Sequence, residues 1–223
     1  MNQLGLPISL NSKMLLDNFI GNSELLNYIN SLSYNNEASE IYVYGEEGLG
    51  KTHLLQGAVI RALNDGKNAI YIDCNESFPE HILDSVDEFK LISIDNINFI
   101  NNTNQDLFFD FYNRARQSKN ITIVVSGNCL PSNLNIMKDM KTRLSLAVVF
   151  KLDILDDDST MVVLNNQMSE RNLTIDSKVY KYLFKNYSRD LKVLLSVIND
   201  LDKLSLQSKQ AISIPFVKKT LQL

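Results

Sequence analysis

Apolar residues in this chain switch between two spacings. Short β-rich runs cover Ile41 and Val43 with their tyrosine neighbours, then Ala69 to Ile72, Lys90 to Asp95, Ile121 to Val125 and Ala147 to Leu152. Between them the apolar positions fall at helical intervals: Ser23, as N-cap, to Leu32, the run LLQGAVIRAL after Thr52, a short Pro79 to Val86, Gln105 to about Ser118, and Met137 to Leu144. Asp65-Gly66 and the polar stretch Ser33 to Ser39 break the pattern as loops. Strands that alternate with helices predict a parallel sheet. On the Gln105 helix, Leu107, Phe108, Phe111, Tyr112 and Ala115 share one face, expected as core, with Arg114 and Arg116 expected in solvent.

From Asp156 onward the spacing is helical throughout. Asp156 to Asp158 cap a helix to about Arg171, Leu173 to Asp176 start another, and Asp190 to Leu204 and Ile214 to Leu223 complete the series. The expected organisation is a tail over 1–12, an α/β domain over 13–153 and a small helical domain over 154–223. With 223 residues, 44% of them hydrophobic, the chain can bury cores of this size.

A formal net charge of −4 argues against gripping nucleic acid by bulk electrostatics, which needs concentrated Lys and Arg. Cys74 and Cys129 lack metal-ligand spacing and are expected as reduced thiols. There is no 18-residue apolar run and no basic leader followed by an apolar stretch, so a soluble cytoplasmic protein with no membrane partner is expected.

The strongest chemical signal is Ile41 to Leu55, IYVYGEEGLGKTHLL. Gly45, Gly50, Lys51 and Thr52 have the spacing of a phosphate-binding loop, whose backbone N–H groups surround phosphate oxygens while the lysine reaches the terminal phosphates and the threonine holds Mg²⁺. The order strand, loop, helix adds the positive end of the helix dipole to the site. Glu46, Glu47, Gly48 and Leu49 complete the loop, and His53 follows as a helix-start residue rather than a base.

Downstream, KLISID ends in Asp95, a carboxylate at a strand tip and the second candidate for Mg²⁺. Residue 96 is Asn, whose amide can hold a water but cannot accept its proton; slow intrinsic hydrolysis is expected, since a general base contributes about 10²- to 10⁴-fold. Asn128 stands at another strand end, where α/β sheets bind ligands, and is a candidate sensor of the terminal phosphate. The leading residues Gln3, Leu4, Leu6, Pro7 and Ile8 put apolar side chains on a polar tail, which either folds back on the core or docks into a partner.

Taken in order, these stretches resemble an AAA+ ATPase of the DnaA branch over nearly the whole chain. Asp17-Asn18-Phe19-Ile20 resembles the segment lying against adenine, GEEGLGKTHLL the Walker A loop and LISIDNINFI the Walker B strand. Asn128 falls at sensor 1, where relatives often have Asp. Lys141-Thr142-Arg143-Leu144 resembles the box whose arginine acts on a neighbouring subunit's nucleotide, and Ser188-Arg189-Asp190-Leu191 the sensor 2 motif that brings Arg189 back to the phosphates.

The chain lacks the long insertion before Walker B and, reaching Leu223 directly after the lid, is expected to do without the initiators' helix-turn-helix domain. It is therefore similar to the DnaA-related inactivators of replication, and Ile214-Pro215-Phe216-Val217-Lys218 matches their closing segment. That resemblance implies a sliding-clamp-binding peptide at Gln3, Leu4, Leu6, Pro7 and Ile8. It also implies bound ADP with Mg²⁺, DnaA and the DNA polymerase III clamp (beta subunit) as partners, and Arg143 acting in trans on ATP held by DnaA. Lys51 and Thr52 are the standard pair where some of these relatives carry Arg and Ser, so ATP binding is expected too. Self-association is left open. Two other readings stand beside this one: an ATPase of the helicase-loader or transposition-helper type working by its own turnover, and a nucleotide-stabilised clamp adaptor without effect on catalysis.

Overall fold

The computed structural model describes residues 10–32, 38–76 and 80–222 of the chain. The leading peptide from Gln3 to Ile8 lies outside them. The chain forms two compact units that divide between Asp153 and Ile154.

The first unit is a five-stranded parallel sheet with helices on both faces. Its strands are β1 (Glu40–Tyr44), β2 (Ala69–Asp73), β3 (Leu91–Asp95), β4 (Thr122–Gly127) and β5 (Val148–Lys151), in the spatial order β2-β3-β4-β1-β5. Helices α1 (Ser23–Ser31), α2 (Lys51–Asn64), α3 (Gln105–Gln117) and α4 (Lys138–Leu144) alternate with them. The inner strands are apolar on both faces because helices cover both. Ile41, Val43, Tyr71, Leu91 and Val124 pack with Leu54, Leu55 and Ala58 of α2 on one face. Tyr42, Ile70, Ile72, Ile92, Ile94 and Val125 pack with Phe108, Phe111 and Tyr112 of α3 on the other. In the register, Ile41 sits beside Val124 and Val148, and Asp73 beside Asp95. Parallel pairing brings all five carboxyl-terminal strand ends to one edge.

Several local expectations change. Strand β4 runs on through Ser126 and Gly127, which the sequence pattern assigns to a closing turn; both are buried in the strand. The expected helix from Pro79 to Val86 is instead a tighter 3-10 run, Glu80–Glu88. Ser23 does not cap α1. The cap is Asn22, in left-handed backbone geometry, and its Oδ1 accepts from Asp153 N at 2.8 Å, a contact across 131 positions that overrides the local capping preference. Arg116 is not simply solvated: its Nε donates to Glu40 Oε1 at 2.6 Å, and Tyr112 OH donates to Glu40 Oε2 at 2.8 Å. Leu107 is only partly buried, whereas Phe108, Phe111, Tyr112 and Ala115 form core.

The second unit is a helical lid domain of α5 (Asp157–Ser169), α6 (Ser177–Asn186), α7 (Leu191–Ser208) and α8 (Ile214–Leu221) around Leu164, Tyr180, Leu183, Leu194, Ile198, Leu201 and Val217. Each helix has a side-chain N-cap: Asp156 accepts from Ser159 N, Asp176 from Lys178 N, Asp190 from Val193 N and Ser213 from Phe216 N. Among the described residues no helix is long and apolar enough to cross a membrane.

Candidate nucleotide-binding site

The loop from Gly45 to Gly50 joins the end of β1 to the first turn of α2 at the carboxyl-terminal edge of the sheet. Gly48 and Gly50 adopt φ of 87° and 92°, a region that residues with a Cβ rarely enter, so the loop needs glycine there. Gly50 is also crowded: a Cβ would lie 3.2 Å from Phe19 Cε2. Glu46, Glu47 and Gly48 are exposed, while Leu49 and Gly50 are half-buried. Lys51 Nζ turns back over the loop and donates to Gly45 O and Glu46 O, both at 2.7 Å. Burial lowers the Lys51 pKa from its ordinary value, with Asp95 and Glu47 pulling it back.

Asp95 is fully buried at the tip of β3 and accepts from three neighbouring elements and from the residue that follows it. Thr52 Oγ1 of α2 and Tyr71 OH of β2 donate to its Oδ2 at 2.6 and 2.8 Å. Ser126 Oγ of β4 and the Asn96 backbone N–H, the latter at 3.0 Å, donate to Oδ1. Four donors thus converge on the two oxygens of one buried side chain. Burial, and then the neighbouring Asp95 charge, push the Tyr71 phenol far above its usual pKa, so Tyr71 stays protonated and remains a donor. Tyr71 and Ser126 were missed by the sequence reading. Each lies in an apolar strand pattern, and only the sheet order puts both next to Asp95.

Asn96 follows in left-handed geometry, with φ 58°. Its Nδ2 donates to Asp73 Oδ1 at the end of β2, at 3.0 Å. Asn128 sits exposed immediately beyond β4, on the same edge.

The segment before α1 runs along α2 towards the loop. Asn11 N donates to Gln56 Oε1 at 2.9 Å, the backbone at Met14 and Leu16 crosses Gly57, and His53 Nε2 donates to Leu15 O at 2.8 Å. Phe19 then packs edge-on to His53, with ring centroids 5.7 Å apart, and against Gly50. Gly50, His53 and Gly57, at spacings of three and four, thus form one helix stripe covered by this strap. A glycine inside α2 costs about 1 kcal/mol relative to alanine, and the close backbone crossing explains its presence. His53 is a strap contact. Ile20, next to Phe19, is half-buried.

Arg143 is not brought to this edge. It ends α4, five positions before Val148, whose register partner Ile41 stands at the start of β1. Burial and then Glu40 raise the Tyr112 pKa, while the charges of Arg116 and Arg143 pull against them; the last turn of α4 carries Arg143 to the end of the sheet where β5 begins. The length of β1, roughly 13 Å at ~3.3 Å per residue, separates that end from the phosphate loop.

In the lid, Arg189 Nη2 lies 3.3 Å from Asp157 Oδ2, and its side chain is 71% exposed. It borders a cleft of about 660 Å³ lined also by Asp157, Asp158, Met161, Lys181 and Lys185. A surface pair of this kind contributes at most about 1 kcal/mol, so Arg189 is held loosely.

Comparison with known proteins agrees with this geometry. The family model for the bacterial DnaA ATPase domain matches residues 10–151, and the model "Hda, lid domain" matches residues 156–221. An uncharacterized protein of Haemophilus influenzae is 31% identical over 229 residues, covering 99% of each chain. Domain III of the Thermotoga maritima replication initiation protein DnaA superposes with a TM-score of 0.77 at 20% identity, over 96% of this chain and 98% of that one. AMPPCP-bound DnaA from Aquifex aeolicus gives 0.72 at 23% identity, over 88% and 67%. With both compact units matched in sequence and the whole fold matched in structure, the chain belongs to the DnaA-related AAA+ family, in the branch that carries an Hda-type lid.

Proposed function

We propose that this chain is a negative regulator of replication initiation: an ADP-holding protein, tethered by its leading peptide to the DNA polymerase III sliding clamp, that stimulates hydrolysis of ATP bound to DnaA. Support for the nucleotide comes from the loop itself, whose glycine geometry, lysine and helix start suit a polyphosphate. The similar Aquifex protein is described with AMPPCP bound. In this reading Lys51 and the loop N–H groups from Gly45 to Thr52 hold the phosphates, and Phe19 and Ile20 flank the base. Asn128 contacts the terminal phosphate from the sheet edge, and Arg189 is the lid's own phosphate-binding candidate. Thr52 and Asp95 offer hard oxygen donors that fit Mg²⁺; bound there, the ion would neutralise phosphate charge. Among the described residues no cluster of three or more acidic, His or Cys side chains could hold a metal ion.

The observation that carries the regulatory half is the location of Arg143 at the strand starts, away from the chain's own loop. An arginine so placed serves a triphosphate on another molecule, where such a group contributes about 10³- to 10⁵-fold. Asn96 agrees with this division of labour, since a chain without a proton acceptor there is a poor hydrolase on its own account. The clamp tether rests on the resemblance of Gln3, Leu4, Leu6, Pro7 and Ile8 to a clamp-binding peptide. The deciding experiment is Arg143→Ala in a reconstituted reaction with DnaA, clamp and DNA. Stimulation of DnaA hydrolysis is expected to vanish, and full stimulation by the variant would refute the assignment.

A second reading, an independent ATPase of the loader or transposition-helper type, draws on the complete Lys51, Thr52 and Asp95 set. Rapid turnover by the chain alone would select it. Clamp capture with unchanged DnaA hydrolysis would instead select a plain adaptor.

A further inference from the structure

The Asn96 amide is oriented by its neighbours. Its backbone N–H donates to Asp95 Oδ1 and to Ser126 Oγ, both at 3.0 Å, and its Nδ2 donates to Asp73 Oδ1, also at 3.0 Å. An ionised carboxylate only accepts, so the group facing Asp73 has to be the NH₂ and the amide oxygen has to point elsewhere. Asp73 is itself held: the Asn75 backbone N–H and Nδ2 both donate to the same Oδ1 at 3.0 Å. The left-handed backbone at Asn96 turns the side chain towards β2, and Asn tolerates that region far better than most residues. Asp73 and Asp95 are register partners on adjacent parallel strands, so the two carboxylates stand side by side at the sheet edge where the loop ends.

The edge therefore holds an acid–amide pair, with the acid on β2 and the amide next to Asp95. We propose that Asp73 is a positioning residue for Asn96. It pins the amide so that Oδ1, which can accept a hydrogen bond from water but cannot remove its proton, is the group turned towards the nucleotide edge, and it keeps the negative charge one strand away. This inference rests on the nucleotide-site reading above and extends it: slow turnover is a property of the pair and not of residue 96 alone.

An isosteric exchange tests it. The double variant D73N/N96D conserves net charge, side-chain size and the hydrogen bond, now donated by the new amide on β2, while moving the carboxylate next to Asp95. N96D alone loses the hydrogen bond and sets two like charges against each other across adjacent strands, which destabilises the new side chain's position. ATP affinity by titration, thermal unfolding and single-turnover hydrolysis at saturating ATP are measured for the full chain and each variant. The expected result is hydrolysis at least about tenfold faster in D73N/N96D than in the unmodified chain, with ATP affinity within about threefold, and with N96D lagging the exchange. Unchanged hydrolysis in a folded, ATP-binding D73N/N96D would overturn the proposal, as would N96D matching the exchange. Failure of the unmodified chain to bind ATP or ADP would overturn the nucleotide-site reading, and this inference with it.

Discussion

Thr52 Oγ1 donates to Asp95 Oδ2 at 2.6 Å, joining the first turn of α2 to the tip of β3 across 43 positions. The bond aligns a hydroxyl and a carboxylate that suit one cation bound together with phosphate. Thr52→Ala removes the hydroxyl but leaves Asp95 its donors from Tyr71, Ser126 and Asn96, so the fold is expected to survive. ADP affinity measured with and without Mg²⁺ should then lose most of its Mg²⁺-dependent part, about tenfold or more. An unchanged response to Mg²⁺ would remove Thr52 from the metal set.

Tyr71 makes its contribution through the same carboxylate. Tyr71→Phe deletes one donor to a buried charge, and hydrogen bonds to charged groups contribute about 1.5–3 kcal/mol. Urea denaturation should register a loss of that order. No measurable loss would mean that the remaining donors satisfy Asp95 unaided.

Gly57 tests the strap. A Cβ there would lie 2.9 Å from Met14 O and 3.0 Å from Leu16 N, both backbone atoms with little freedom to retreat. Gly57→Ala gains helix propensity of about 1 kcal/mol, yet overpacking of this kind costs typically about 1–3 kcal/mol. The net expectation is a strap lifted from α2, read as faster proteolysis ahead of Ser23 and weaker nucleotide binding through displaced Phe19. Protection equal to the unmodified chain would argue against the crossing.

The contrast between Thr52 and Tyr71 explains how much of the site could be read beforehand. The loop, Thr52 and Asp95 are local: glycines at set intervals between a β-run and a helical run, and a carboxylate ending an apolar strand. Strand and helix periods likewise disclose the alternating fold and the helical lid. Tyr71, Ser126 and Asp73 become part of the site only through lateral order, β2 beside β3 beside β4, and periodicity along a strand carries no information about its neighbours. Arg116 was misread for the same reason, since its partner Glu40 lies 76 positions away. The need for Gly57 is equally invisible in sequence, because the backbone that crosses it comes from a segment with no periodic pattern.

In the lid, Tyr180 is fully buried and its OH has no hydrogen-bond partner among the described residues. Burial also pushes its pKa up to about 12, so it remains protonated throughout the neutral range. An unsatisfied buried hydroxyl costs about 1–3 kcal/mol, and Tyr180→Phe removes it with little change of shape. The variant should be as stable as the unmodified chain or more so, by up to about 1 kcal/mol in chemical denaturation. A clear loss would reveal a partner for the hydroxyl in solution.

Arg143→Ala separates the two ends of the first unit. Because the residue stands in the last turn of α4, just ahead of the start of β5, the variant should bind ADP and ATP as the unmodified chain does, within about twofold. A large loss of the chain's own nucleotide affinity would contradict that separation.

Placing the arginine at one pole and the phosphate loop at the other makes the α/β unit directional. About a two-fold axis, arginine meets loop only where two such bodies pack antiparallel, and then it does so in both directions at once. Head-to-tail contact uses one pole of each body, and in an open row it leaves one loop and one arginine unmatched at the ends. The direction of the unit thus decides which pole of a second such body its arginine can serve.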